Sequence, residues 1–176
     1  MKCSGGDRRS KLMKRYVPEI SFCLENNSGK KGTAMNSFIK NELLRLRIDF
    51  KFEDDMFYFP HPRYPELVDC IVNIDNNKMR FIADYELIPP AGMTGTQLCT
   101  ILNKINYDND FGNLETDGNG LIVFKLNAFL PDCKHSANEV CRIALVFFLQ
   151  KVSREFCKLE TAVNKIRKSA MEVKVC

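Results

Sequence analysis

Between Ala34 and Arg47 the apolar residues Met35, Phe38, Ile39, Leu43 and Leu46 recur at helical spacing, with Thr33 as a candidate cap, and this period predicts a first helix. The period then switches to two: Ile48, Phe50 and Phe52 alternate with Asp49, Lys51 and Glu53, as a half-buried strand requires. Glu53-Asp54-Asp55 turns the chain into Met56-Phe57-Tyr58-Phe59. Pro60, Pro62 and Pro65 then make a rigid connection, since proline cannot donate to a ladder. A further strand runs from Leu67 to Ile74, with Val68, Cys70, Val72 and Ile74 on one face. Asp75-Asn76-Asn77-Lys78, rich in residues that tolerate positive φ, returns it as Met79 to Leu87, with a buried face of Met79, Phe81, Ala83, Tyr85 and Leu87.

Pro89-Pro90 ends that strand, and Thr94-Gly95-Thr96-Gln97 is a capping-box pattern ahead of the stripe Leu98, Ile101, Leu102 and Ile105, which predicts a second helix. Phe111–Thr116 and Leu121–Leu130 flank Asp117-Gly118-Asn119-Gly120, a hairpin signal. In the second of these strands Ile122, Phe124, Leu126, Ala128 and Leu130 share a face. Ser136 and Glu139 form another capping-box pattern, followed by Cys141, Leu145, Phe148, Val152, Phe156, Leu159, Val163 and Ile166 at steps of 4, 3, 4, 4, 3, 4 and 3. Val140, Ala144 and Phe147 widen this stripe early, and past Lys151 the widening turns polar. The expected helix is therefore deeply buried at first and half-buried later. About 30 residues would span near 45 Å, so either the helix ends near Leu159 or its far end packs beyond the body.

Helix, four strands, helix, hairpin and helix, joined by short connections, imply antiparallel pairing. The expected fold is α+β: one antiparallel sheet with helices packed on one face, in the order α-β-β-β-β-α-β-β-α. Residues 33–166 form the expected single domain. Residues 1–32 precede it as a basic arm containing the phrase Tyr16–Leu24, which Pro18 restricts to an edge, and a linker, Asn26–Gly32. Residues 167–176 are a tail.

Composition adds few constraints. Of the 176 residues, 45% are apolar and 27% charged, an ordinary globular balance. No run of apolar residues suffices for a membrane span, and the first 20 residues lack a secretory core, so the expected address is cytoplasmic. Eight cysteines lie far apart without a Cys-x-x-Cys, and Cys70 and Cys141 fall on predicted buried faces. Free thiols behaving as small hydrophobes are expected, with Cys3 and Cys176 the most open to oxidation. The net charge of +4 is uneven: +5 over residues 1–32, −5 over 33–150 and +4 over 151–176. An acidic body with basic ends does not match a nucleic-acid groove. A solvated tail is one reading of the arm; docking on the acidic body of a neighbouring subunit is the other.

No chemical constellation emerges. His61 lies between prolines and His135 precedes a helix. Cys133, His135 and Cys141 lack the tight pairing of a structural zinc site, and no third group orients Cys133 and His135 as nucleophile and base. Asp108-Asn109-Asp110 fails as a calcium loop, because Asn113 and Asn119 stand where Gly and Glu are needed. Glu53, Asp54 and Asp55 belong to a turn; Asp84 and Glu86 share the less apolar sheet face with Arg80 as a partner. No Walker A, G-x-S-x-G, G-x-G-x-x-G or H-E-x-x-H motif occurs. The chain is thus read as a non-enzyme with no cofactor, no metal and no catalytic residue.

What remains is surface. The second sheet face carries Leu67, Ile71, Ile82, Leu121, Val123 and Phe129 among polar residues, more apolar than a solvated face. Either Tyr16–Leu24 or another segment of the chain folds over it, or it is a partner or dimer surface.

Leu102-Asn103-Lys104-Ile105-Asn106, Phe111-Gly112, the Asp-Gly turn and Leu121-Ile122-Val123-Phe124 resemble the YbjN-like family of bacterial proteins over residues 34–163. The resemblance implies the type III secretion chaperone-like fold, a curved antiparallel sheet with packed helices, often dimeric. Its members are described as sensory-transduction regulators, and secretion chaperones of this fold bind unfolded client segments. The basic arm, the cysteines and the long last helix depart from that pattern. The expected function is a chaperone-like or regulatory module binding a protein partner or client, with the six second-face residues as the contact surface and a homodimer as one form of it. The alternatives are a small-molecule-binding or catalytic domain on the open sheet face, and nucleic-acid binding through the basic ends.

Overall fold

The computed structural model describes residues 31–172 apart from 76, 91 and 117–119. The arm with Tyr16–Leu24, Cys3, Cys23 and Cys176, the residues Asp117-Gly118-Asn119 of the hairpin turn and the end of the tail lie outside the described residues.

Among the described residues, three helices and six strands follow in the expected order: α1 (Lys31–Arg45), β1 (Lys51–Glu53), β2 (Met56–Pro60), β3 (Val68–Asp75), β4 (Lys78–Glu86), α2 (Gly95–Tyr107), β5 (Asn113–Thr116), β6 (Leu121–Phe129) and α3 (Lys134–Glu172). The strands form one sheet, β1-β2-β3-β4-β6-β5, with every neighbouring pair antiparallel. Period-two burial decides which face closes. Phe57, Phe59, Val68, Cys70, Val72, Met79, Phe81, Ala83, Tyr85, Leu114, Ile122, Phe124 and Leu126 form one buried cluster with Ile39 and Leu43 of α1, Leu98, Leu102 and Ile105 of α2, and the stripe of α3. All three helices therefore pack on one face, as the pattern implies. Its centre is aromatic, with Phe148 stacked on Phe81 at 5.0 Å and on Phe124 at 6.3 Å.

α1 begins two residues before Thr33, so Lys31 and Gly32 are helical, not linker. It ends at a reversal in which Arg47 takes φ 56°. The Ile48 amide donates to the Leu43 carbonyl (2.9 Å) and the Arg47 amide to the Leu44 carbonyl (3.0 Å). This is the bonding of a Schellman cap, with Ile48 and Leu43 both buried. The cap takes Ile48 out of the expected strand, which shortens to Lys51–Glu53. β1 and β2 join through Asp54 and Asp55, at φ 51° and 58°, a two-residue turn whose handedness matches the strand twist.

The Thr94 box forms as expected: the Thr94 hydroxyl accepts from the Gln97 amide (3.2 Å), and the Gln97 side chain accepts from the Thr94 amide (2.9 Å). The Ser136–Glu139 box does not. α3 starts at Lys134, and the Ala137 amide donates to the Cys133 carbonyl at 2.8 Å, which puts Cys133 at the cap. Glu139 is turned to Arg142 (3.5 Å). Hydrogen bonds from Ser136 and His135 hold the exposed Cys133 thiol below its usual range.

α3 does not stop near Leu159. Its 39 residues span about 58 Å, and the stripe stays shut through Val152, Phe156, Leu159 and Val163, where a half-buried second part was expected. The reason is tertiary: Phe156 meets the Tyr85 ring at 5.0 Å, and the Tyr85 hydroxyl donates to Glu160 at 3.1 Å. Burial, with the Glu160 carboxylate, pushes the Tyr85 phenol up to about 12. Glu155, fully buried on the same stretch, holds Lys158 at 2.9 Å and Arg154 at 3.8 Å. No helix among the described residues is long and apolar enough to cross a membrane.

Candidate functional site

The face of the sheet turned away from the helices is set by the strand registers, which place its residues in five cross-strand rows. Leu67 lies at the end of the row of Glu86 and Leu121. The next rows are Asp69, Asp84, Val123 and Glu115, then Tyr58, Ile71, Ile82, Lys125 and Asn113. Met56, Asn73, Arg80 and Asn127 follow, and Asp75, Lys78 and Phe129 close the set.

Five of the six apolar positions expected here come together in the first three rows: Leu67, Leu121, Val123, Ile71 and Ile82. Phe129 does not join them. It stands four rows from Leu67, about 27 Å at ~3.4 Å per residue, beyond the polar row of Asn73, Arg80 and Asn127. Lys78 caps its ring at 5.9 Å. Ile71, Val123 and Met56 are buried but lie outside the helix-side cluster, whereas Ile82 and Leu121 are half-buried and Leu67 and Phe129 exposed.

The acids on this face are unevenly placed. Arg80 holds Asp75 at 2.8 Å, not Asp84 as its sequence position suggested, because Asp84 lies two rows away. Lys125 holds Glu115 (2.7 Å) and Lys51 holds Glu53 (2.5 Å). Asp69 and Asp84 are directly opposed across β3 and β4, an arrangement in which like charges repel, and Asp84 is only 3% exposed. Both carboxylates, after burial itself, push the fully buried Cys70 thiol well above its usual range. Burial together with the Glu42 carboxylate raises that of Cys141 to about 11. These two thiols are inert packing groups, and the five described cysteines are all free. The Asp69–Asp84 opposition was invisible in the sequence, where the two residues lie on different strands; only the register reveals it.

The other chemical candidates are dispersed. Cys133 and His135 are exposed at the head of α3, whereas Cys141 points into the core, and among the described residues no three metal-binding side chains converge. Asp108 closes the C-terminus of α2. Asn109 donates to the Gly112 carbonyl (3.1 Å) and accepts from Lys151 (2.9 Å), so this stretch serves the turn into β5. Sequence reading missed Asn106, whose amide donates to the Leu114 carbonyl and accepts from the Leu114 amide, both at 2.8 Å. One side chain thus stands in for a neighbouring strand and closes the free edge of β5. A cleft of about 400 Å³ opens beside it, lined by Cys99, Asn103, Asn106, Asn113 and Glu115 among others. Its lining has no histidine, and its one carboxylate is the Glu115 bound to Lys125.

His61 is a core group. It is 2% exposed. Its Nδ1 accepts from the Arg63 amide (3.2 Å), which leaves the proton on Nε2, facing the Leu149 carbonyl at 3.0 Å and Ser153 Oγ at 3.3 Å. Burial, helped by the Arg63 charge and opposed by the Leu149 bond, lowers its pKa below 6.5. A depressed histidine gives stability that is complete above the unfolded-state pKa and is lost as pH falls through the folded one. Urea unfolding should therefore show a loss of stability as pH falls below 6.5 that His61→Gln removes; an identical loss in the variant would assign it elsewhere.

No protein-family model matches the chain, and no curated protein matches it in sequence. Among solved structures, it is similar to YbjN from E. coli, with a TM-score of 0.45 and 15% identity over 76% of this chain and 92% of that one. It is also similar to the HopA1–SchA chaperone–effector complex, with a TM-score of 0.45 and 12% identity over 81% of this chain and 99% of that one.

Proposed function

We propose that this chain is a non-enzymatic, chaperone-like or regulatory module of a bacterial cytoplasm, which binds a protein partner or client on its second sheet face. The observation that carries this reading is the patch of Leu67, Ile71, Ile82, Leu121 and Val123, which spans three adjacent strands on the side that no described helix packs against. A sheet face meant for water alternates to polar residues, and a contiguous apolar patch is a docking surface. An extended segment suits the rows, and a second copy of the chain is the other occupant the face admits. Phe129 stands outside the patch.

Ile82→Asp tests this reading. Ile82 is half-buried, so the variant should stay folded by circular dichroism while capture of partners from the native host, or self-association in sedimentation, weakens about tenfold or more, ~1.4 kcal/mol or above. A folded variant with the same captured proteins and the same sedimentation would refute the proposal.

A further inference from the structure

We propose that two copies of this chain pair along β1, antiparallel about a two-fold axis through Phe52, so that Lys51 of each copy stands opposite Glu53 of the other. The sheet ends at β5 and β1, and the two edges are finished differently. Asn106 takes up both backbone groups of Leu114 and closes β5; no described side chain does the same for β1. In a two-residue hairpin the pair flanking the turn exchanges hydrogen bonds, and the bonding alternates from there. Glu53 and Lys51, opposite Met56 and Tyr58, therefore bond to β2, and Phe52 between them turns its amide and carbonyl to the outer edge. Such an edge is a template for another strand.

Charge selects which strand. Like charges directly opposite each other destabilise a ladder, and unlike charges support it. A two-fold axis at Phe52 sets residue 51 of each copy against residue 53 of the other, lysine against glutamate at both positions. Both side chains reach solvent, and within one strand they already pair at 2.5 Å, so the join closes a ring of two cations and two anions. The apolar side agrees. Phe52 is 47% exposed, although its ring lies 4.6 Å from the buried Phe57 ring, which Phe50 meets at 5.6 Å. The axis brings the two Phe52 side chains together and continues each aromatic cluster into the other, as a self-complementary interface requires. Further out, Asp49 of one copy would meet Asp55 of the other, which confines the pairing to β1 and keeps the contact small.

Because the paired Phe52 residues lie on the same face, the axis stands perpendicular to the sheet, and the two second faces come to lie on one side. Resting on the function proposed above, this sets two docking patches next to each other, and a client that spans both gains affinity from the linkage.

Sedimentation velocity on the full-length chain tests the pairing. The weight-average coefficient should rise from the monomer toward the dimer value across about 1–500 µM, as suits a contact below the standard interface size. Lys51→Glu or Glu53→Lys, each of which sets like charges opposite at both positions, should weaken association about tenfold or more, with circular dichroism unchanged because both side chains reach solvent. Lys51→Glu combined with Glu53→Lys restores unlike pairs and should return the dissociation constant to within about threefold of its original value. Phe52→Asp, which sets two carboxylates against each other on the axis, should abolish association. A chain that stays monomeric throughout the range overturns the proposal, as does a charge swap that leaves association as weak as the single reversals. Association that survives Lys51→Glu but is lost in Ile82→Asp places the contact on the second face and overturns pairing through β1. Charge-swap rescue with partner capture unchanged in Ile82→Asp supports the β1 dimer and removes the docking reading alone.

Discussion

Phe148→Ala is expected to lower the stability of the folded chain by about 3–5 kcal/mol. Phe148 is fully buried at the middle of α3, between Phe81 of β4 and Phe124 of β6. It is the place where α3 meets the neighbouring strands β4 and β6, so truncation opens a cavity whose walls are a helix and a sheet, and neither collapses easily. Total stability for a domain of this size is about 5–15 kcal/mol, so the loss is a large share of it. The urea midpoint should fall with an unchanged slope, while Phe148→Leu, which retains most of the volume, should lose less than half as much. A loss below about 1 kcal/mol for the alanine variant would mean that the helix–sheet contact is not the main support of the fold.

Gly112→Ala should destabilise by about 2–4 kcal/mol, from two sources. Gly112 has φ +79°, and a Cβ there would lie 2.4 Å from Phe124 Cζ and 2.8 Å from the Lys125 carbonyl oxygen. Phe124 is fully buried and cannot swing aside, and the Lys125 carbonyl belongs to the strand paired with Asn113. Relief would have to come from β5 moving away from β6, which also breaks the Asn106 bridge to Leu114. Gly95→Ala is the contrast: nothing lies within 4 Å of its added Cβ, and alanine in a helix is neutral or favourable by up to about 1 kcal/mol. Thermal unfolding of the two variants should separate them clearly. Equal midpoints would show that the close approach at Gly112 is easily relieved.

Gly112 and Asn106 both lie in the hairpin phrase that carries the family resemblance, and the structure gives that phrase a physical meaning. An apolar stripe needs only spacing, so Leu98, Leu102 and Ile105 were legible from the chain alone. Asn106 was not, because its task is to pair with Leu114, eight residues on and in a different element. The same division separates the two capping patterns. Thr94 caps because nothing nearer competes, whereas Ser136 loses its place to Cys133, three residues earlier, once α3 starts at Lys134. In the candidate surface, Ile71, Ile82, Leu121, Leu67 and Val123 were identifiable as one face by alternation. The opposition of Asp69 and Asp84, the pairing of Arg80 with Asp75 and the separation of Phe129 depend on which residue of β3 or β6 stands beside which residue of β4.

The sequence by itself determined the type and order of the elements and the face each strand buries, because periods of 2 and 3.6 are properties of the local backbone. It also determined that a second face would be unusually apolar and that the arm would be basic. Only the tertiary structure decided the strand order β1-β2-β3-β4-β6-β5, how far α3 stays buried, and the gathering of Asp69, Asp84 and Glu86 at one end of that face. Those outcomes rest on register between strands distant in the chain, and a one-residue slip would change every cross-strand neighbour while leaving each strand's own pattern intact.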